Sequence, residues 1–266
     1  MNIALGGKGV EAIVLDIEGT TTPIAFVYDV LFPFARAHLR EFLQNPMHAD
    51  ALREPLRRLH KEWLADPEFA TSVPGVESTS VPDGERTARD GGRLGDRDGG
   101  QLEWAESYVE WLMDRDRKSP GLKLLQGLIW EGGYRAGALK GEVFVDVPPA
   151  LQRWRGVGRE VAIYSSGSEL AQRLIFGNTA HGDLTRFISR FFDTAVGAKG
   201  EPGSYRRIAA DLGRAPDRLM FISDVTSELD AAASAGCRVI LCVRPGNRSQ
   251  PDHAYTEISS FEEIEL

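Results

Sequence analysis

The chain lacks most of what would tie it to a membrane, a disulfide framework or a nucleic-acid surface. Its 266 residues include only two cysteines, Cys237 and Cys242. Both lie in one short apolar stretch, the setting of reduced core thiols and not of a disulfide scaffold. No apolar run approaches the roughly 18 residues that a membrane-spanning helix needs. Positive charge is in deficit: 31 basic against 39 acidic residues leave a formal charge of −8. That balance argues against non-specific nucleic-acid binding, while a locally positive pocket for a small anion stays compatible with it. The opening MNIALGGKGVEAIVLD has no secretory h-region with a small-residue cleavage site, so a cytoplasmic location is expected. Familiar catalytic signatures are missing as well. Gly200 follows Lys199, so the glycine-rich stretch there is not GxxxxGK[ST]. No GxSxG elbow occurs, and the five histidines (His38, His48, His60, His181, His253) have no zinc spacing.

What is present is an ordinary folded composition, 42% hydrophobic and 26% charged, long enough for one large domain or two modest ones. The chain reads in three parts. A lone apolar run, Ala12–Ile17, predicts a strand that ends at the breaker pair Gly19-Thr20. From Tyr28 to about Gly137 the period becomes helical. Stripes run through Leu31, Phe34, Ala35, His38, Leu39 and Phe42, through Leu52, Leu56, Leu59 and Trp63, through Trp104, Tyr108, Trp111 and Leu112, and through Leu124, Leu125, Leu128 and Ile129. Within this part, 71–101 is poor in apolar residues and is expected to be a mobile surface loop. Beyond Val143, short unbroken apolar runs predict strands at Val161–Ser165, Phe191–Val196, Arg218–Ser223 and Arg238–Val243. They alternate with helices predicted at Glu169–Phe176, Ser204–Leu212 and Ser227–Ala235. Such strands belong in a parallel sheet covered on both faces. The expected fold is a doubly wound α/β core, 10–27 and 138–266, with a helical cap subdomain at 28–137 inserted after the first strand.

Ligands of an open parallel sheet bind at the carboxyl ends of its strands. There the chain places Asp16 and Glu18, then Ser165 and Ser166, then Lys199, then Asp224 with Glu228 four residues on. These types suit phosphoryl transfer. An aspartate can attack phosphorus, carboxylates from two strands can hold Mg²⁺, and hydroxyls and an ammonium can cradle phosphate oxygens. Each piece also has a plain reading. DxE can be a turn with a helix cap, Ser-Ser-Gly-Ser an N-cap, Lys199 a solvated side chain, and Asp224 the cap of the next helix. Their convergence on one sheet edge, in chain order, favours chemistry.

The succession DIEGT, YSSGS, GAK and SDVTSE resembles the four motifs of the haloacid-dehalogenase-type hydrolases. Within them, DIEGTTTPI, LQGLIWEGGYRAGALKG, VFVDVPPAL, VAIYSSGS, FISDVTSELDAA and VRPGN are similar to the enolase-phosphatase E1 family of methionine salvage. The glutamate of DIEGT and the doubled serine are its specific marks. The resemblance implies Asp16, Glu18 and Asp224 as groups serving Mg²⁺, with Glu18 acting through side chain or backbone. It implies Asp16, Glu18 and Lys199 as catalytic, and Ser165, Ser166 and Lys199 as substrate-binding. The implied substrate is 2,3-diketo-5-methylthiopentyl-1-phosphate, enolised and then dephosphorylated to an acireductone. A monomer is expected, with no nucleic-acid or membrane partner. Competing readings are a generic phosphomonoesterase on the same core, a haloacid dehalogenase, which would have no use for the metal or Glu18, and a non-catalytic binding protein.

Overall fold

A computed structural model describes residues 3–4, 9–72, 100–117 and 119–265. The expected loop at 71–101 falls mostly on 73–99, outside the described residues. Its two ends belong to helices.

Eight strands are described, all in parallel pairings: β1 (Ile3–Ala4), β2 (Ala12–Leu15), β3 (Glu160–Tyr164), β4 (Arg190–Phe192), β5 (Leu219–Ser223), β6 (Arg238–Cys242), β7 (Glu257–Ile258) and β8 (Ile264–Glu265). β1 pairs with β8, and the other six form one sheet in the order β4-β3-β2-β5-β6-β7. β2 lies between β3 and β5, with Val14 opposite Ala162 on one side and Phe221 on the other. From β2 the chain steps outward through β3 to β4, then returns to start the other half at β5. The topological switch therefore falls between β2 and β5, where the loops leaving the strand ends diverge.

All four residues of β2 are buried, as a strand covered on both faces requires. Ala12 and Val14 share a core with Ala162, Tyr164 and Phe221 of the neighbouring strands. Helix α8 (Pro202–Asp211) adds Tyr205 and Ile208 to it, and α9 (Thr226–Ser234) adds Leu229.

The expected strands are trimmed where the backbone turns. β2 stops at Leu15 because the Ile17 carbonyl accepts from the amides of Thr20, Thr21 and Thr22, which curls the chain into a tight loop. The stretch 191–196 is strand only to Phe192. There the Asp193 side chain accepts from the Ala195 amide at 2.8 Å and starts a turn.

The chain divides into two compact units, 1–33 with 130–266, and 34–129, against the expected divisions at 27/28 and 137/138. The divisions fall inside helices α1 (Phe32–Gln44) and α5 (Pro120–Arg135), the first preceded by a π-helical turn over Phe26–Leu31. The helical unit also holds α2 (Ala49–Leu64), α3 (Pro67–Ser72) and α4 (Gly100–Asp114). Phe69 meets Tyr108 and Trp111 edge-on, with ring centroids 5.0 and 5.4 Å apart. Among the described residues no helix is long and apolar enough to cross a membrane.

A buried ion pair ties the loop after β2 to distant parts of the core. Asp146, at the start of α6 (Val147–Gly156), accepts from Arg244 Nη1 and Nη2 at 3.0 and 2.8 Å, and from the Phe261 amide at 2.6 Å. Arg244 also donates through Nε to the Thr20 carbonyl at 3.3 Å. Asp146→Ala would leave the guanidinium buried without its carboxylate. It is expected to lower the unfolding free energy by about 3–5 kcal/mol, read from the urea midpoint. A loss under about 1 kcal/mol would show the pair to be dispensable.

Candidate active site

The switch between β2 and β5 determines which side chains meet. Asp16 leaves the end of β2 and Asp224 the end of β5, and both are buried. Asp16 Oδ1 accepts from its neighbour's amide, Ile17 N, at 2.7 Å and pairs with Lys199 Nζ at 2.6 Å. Lys199 also reaches Glu228 Oε2, at 2.5 Å. Ser223 Oγ completes the cluster, 2.9 Å from Glu228 Oε2 and 3.3 Å from Asp16 Oδ2. One ammonium thus bridges a carboxylate at the end of β2 and one in the first turn of α9.

The segment carrying Lys199 is fixed by two tyrosines. Tyr205 OH donates to the Lys199 carbonyl at 2.8 Å, and Tyr164 OH donates to the Gly197 carbonyl at 2.9 Å. Lys199 is only 8% exposed, which removes its reading as a solvated surface lysine. Burial works against the ammonium, but Asp16 and Glu228 outweigh it and raise its pKa above the ordinary lysine value. Glu228 is pushed up by burial and then by Asp16, with Lys199 pulling the other way.

The helix-cap readings are also resolved by geometry. α9 has Val225 at its N-cap with no side-chain cap bond, and its Thr226 amide is satisfied by Gln250 Oε1 at 3.0 Å. Asp224 is therefore not spent as a cap. In YSSGS, Ser168 does the capping of α7 (Glu169–Gly177), accepting from the Ala171 amide at 3.3 Å. Ser165 and Ser166 are left at the end of β3. Ser165 Oγ accepts from the Gly167 amide at 3.1 Å, so its hydroxyl proton is available to another acceptor. Gln172 holds this loop, donating to the carbonyls of Gly167 and Phe192 at 2.9 and 2.8 Å.

Glu18 is half-buried one residue past Ile17, and its backbone bridges to Thr22. Gly19 follows in the left-handed region at φ +73°, and a Cβ there would come within 2.4 Å of Asp224 Oδ2. Glycine lets the loop lie against Asp224, and no larger residue fits.

Glu228 was not assigned a role from sequence, although it stands four residues after Asp224. That spacing places it in the first turn of α9, next to the sheet edge that Asp224 ends. Ser223 and the two tyrosines read as strand and helix core, with nothing in the sequence to mark them out.

The charge balance suits a hard cation. Asp224 is pushed up to about 7 by burial, then by the nearby Asp16 charge, with Lys199 only partly offsetting. Among the described residues no three His, Cys, Asp or Glu side chains form a ready ligand cluster. Mg²⁺ does not require one, because it binds through one or two carboxylates and keeps several waters. The buried carboxylates of Asp16 and Asp224 fit that donor set.

A buried carboxylate paired to a lysine at the switch point of a parallel sheet suits a site that works on an anionic group. The comparisons agree. A family model of the haloacid dehalogenase-like hydrolases matches residues 10–236. The chain is 43% identical over 255 residues to "Enolase-phosphatase E1" of Synechococcus elongatus, covering 96% of this chain and 98% of the relative. It is 42% identical to a "Probable bifunctional methylthioribulose-1-phosphate dehydratase/enolase-phosphatase E1" of Oryza sativa, covering 96% of this chain and 47% of that one. The crystal structure of the Unknown transcript 4 protein of Saccharomyces cerevisiae superposes with a TM-score of 0.70 at 29% identity, covering 95% of this chain and 99% of that one. The chain belongs to the haloacid dehalogenase-like hydrolases and, within them, to the enolase-phosphatase E1 family.

With no cation present, a charged Asp224 opposes folding. Its raised pKa means that this group's contribution is most favourable at low pH and is lost as pH rises through about 7. At pH 8 the metal-free Asp224→Asn protein should melt about 2–4 °C above wild type, a gain of roughly 1 kcal/mol. Added Mg²⁺ should raise the melting temperature of wild type and leave that of Asp224→Asn unchanged. Equal melting temperatures, each rising alike with Mg²⁺, would remove Asp224 from the cation site.

Proposed function

We propose that the protein is a Mg²⁺-dependent enolase-phosphatase of methionine salvage, acting on 2,3-diketo-5-methylthiopentyl-1-phosphate and releasing an acireductone and phosphate. The observation that carries the phosphatase half is the Asp16 carboxylate clamped by buried Lys199. The enolase half rests on the name the relatives share and on the near-complete length over which the chain matches the Synechococcus elongatus protein. The chemistry is assigned to the core, 10–27 and 138–266, with 28–137 as an inserted subdomain. A monomeric, cytoplasmic enzyme with a small phosphorylated substrate is the matching state.

Asp16 is assigned as nucleophile. Its Oδ1 is occupied by Lys199 and the Ile17 amide, which orients the carboxylate. Among the described residues its Oδ2 has only the long contact to Ser223 Oγ, whose proton has a closer acceptor in Glu228. Oδ2 is therefore the oxygen left to attack. It bonds to phosphorus as the bond from phosphorus to the substrate oxygen breaks, and that oxygen leaves as the enol once protonated. Water then attacks phosphorus and frees Asp16 and phosphate.

Lys199 neutralises charge on both carboxylate and phosphoryl oxygens, and Glu228 keeps its ammonium in place. Ser165 and Ser166 donate to the phosphate. Asp16, Asp224 and Glu18 are the groups that would hold Mg²⁺, Glu18 by side chain or backbone. When bound, the ion offsets phosphate charge and stabilises the enolate oxygen that proton removal creates. Glu18 is the group assigned to proton transfer if its side chain does not serve the ion.

The two half-reactions involve different substrate atoms, so they should separate. Asp16→Asn is nearly isosteric and should lower phosphate release at least a hundredfold, about 2.7 kcal/mol of barrier. With saturating Mg²⁺ it should still accumulate an enol phosphate, seen as a new ultraviolet band. Wild type should release phosphate faster from the diketone than from sugar phosphates or p-nitrophenyl phosphate. Equal rates across that panel would instead favour a general phosphomonoesterase.

A further inference from the structure

Asn247 carries no role in the site as described so far, yet its side chain faces it. The residue lies in the loop after β6, five residues past Cys242, the last residue of that strand. Its Nδ2 donates to the Gly19 carbonyl at 2.9 Å and to the Cys242 carbonyl at 3.1 Å. These two bonds fix which end of the amide is which. A flipped amide would set its oxygen against two carbonyl oxygens and leave both without a donor. Oδ1 must therefore point the other way, and there it has no hydrogen-bond partner among the described residues although it is shielded from solvent.

The direction of Oδ1 is informative. A Cβ built on Gly19 would lie 2.9 Å from Asn247 Oδ1 and 2.4 Å from Asp224 Oδ2. The two oxygens thus lie on the same side of the glycine and are at most about 5.3 Å apart, the span of two end-to-end O–H···O bonds. Both are acceptors. An acceptor buried against a carboxylate is unfavourable unless something that donates, or a cation with its waters, stands between them.

We propose that Asn247 is a positioning residue for the divalent cation, its Oδ1 accepting a hydrogen bond from a water in the hydration shell of the ion that Asp16 and Asp224 hold. The inference rests on those two carboxylates binding a cation, as argued above. It divides the amide into two functions. Nδ2 braces the loop after β2 through Gly19, and Oδ1 orients the ion's water. Groups that orient a metal's ligands in this way typically affect its affinity 10–100-fold.

Substitutions separate the two functions. Asn247→Ala removes donor and acceptor, whereas Asn247→Asp removes the donor and keeps an oxygen. Mg²⁺ binding to the substrate-free proteins is measured by calorimetry, alongside melting temperatures without metal. Both variants should melt lower than wild type. Asn247→Ala should bind Mg²⁺ about 10–100-fold more weakly, while Asn247→Asp should bind close to wild type. Wild-type affinity in Asn247→Ala, or equal loss in both variants, overturns the proposal and leaves the cation site standing. A wild type that binds no divalent cation overturns both. Should the variants not fold, a Mn²⁺-soaked crystal of wild type decides. A metal-bound water within hydrogen-bond distance of Oδ1 supports the inference, and a protein donor there contradicts it.

Discussion

The buried Lys199 ammonium is the constraint around which this core is arranged. A positive charge withdrawn from water is tolerated only where its Coulomb partners are close and well placed. Here two carboxylates, from β2's end and from the first turn of α9, supply them at 2.6 and 2.5 Å. The loop backbone that carries the lysine is fixed by Tyr205 and Tyr164, whose rings also pack against each other and Phe221 in the sheet core. Removing any of these groups would expose an unpaired charge or an unsatisfied carbonyl. Orientation of Asp16 is thus a consequence of folding and not of substrate binding.

The sheet order explains why these particular residues meet. β2 and β5 are neighbours in space, although more than two hundred residues separate Asp16 from Ser223. Side chains at their ends meet, and the glycine at position 19 lets the loop after β2 lie against Asp224. The Asp146–Arg244 pair also braces the same loop, through the Thr20 carbonyl. Precision at the site is therefore supplied by rigid strands and buried polar contacts, with the loop itself contributing little freedom.

Much of this was legible in the sequence because parallel strands write themselves as short apolar runs, each ending in the residue it delivers. Asp16, Ser165, Lys199 and Asp224 were visible on those grounds, and DIEGT with its glutamate pointed to one family. Contacts between residues far apart in the chain were not visible. Nothing local shows that Gln250 caps α9 and so releases Asp224, or that Asp146 finds Arg244. Glu228 was noted for its place after Asp224, but its pairing with Lys199 depends on the three-dimensional meeting of two loops. The 191–196 stretch reads as a short unbroken apolar strand, whereas the turn chemistry of Asp193 stops it at Phe192.

The central claim is that Asp16 itself carries the phosphoryl group between attack and hydrolysis. It is tested most directly by quenching wild-type enzyme during turnover of the diketone phosphate, reducing it with borohydride and mapping its peptides by mass. An acyl phosphate on Asp16 is reduced to homoserine, whereas a free carboxylate is not. The account predicts homoserine at position 16 and nowhere else. An unmodified Asp16 in enzyme that releases phosphate at full rate, or homoserine at another acidic position, would contradict it.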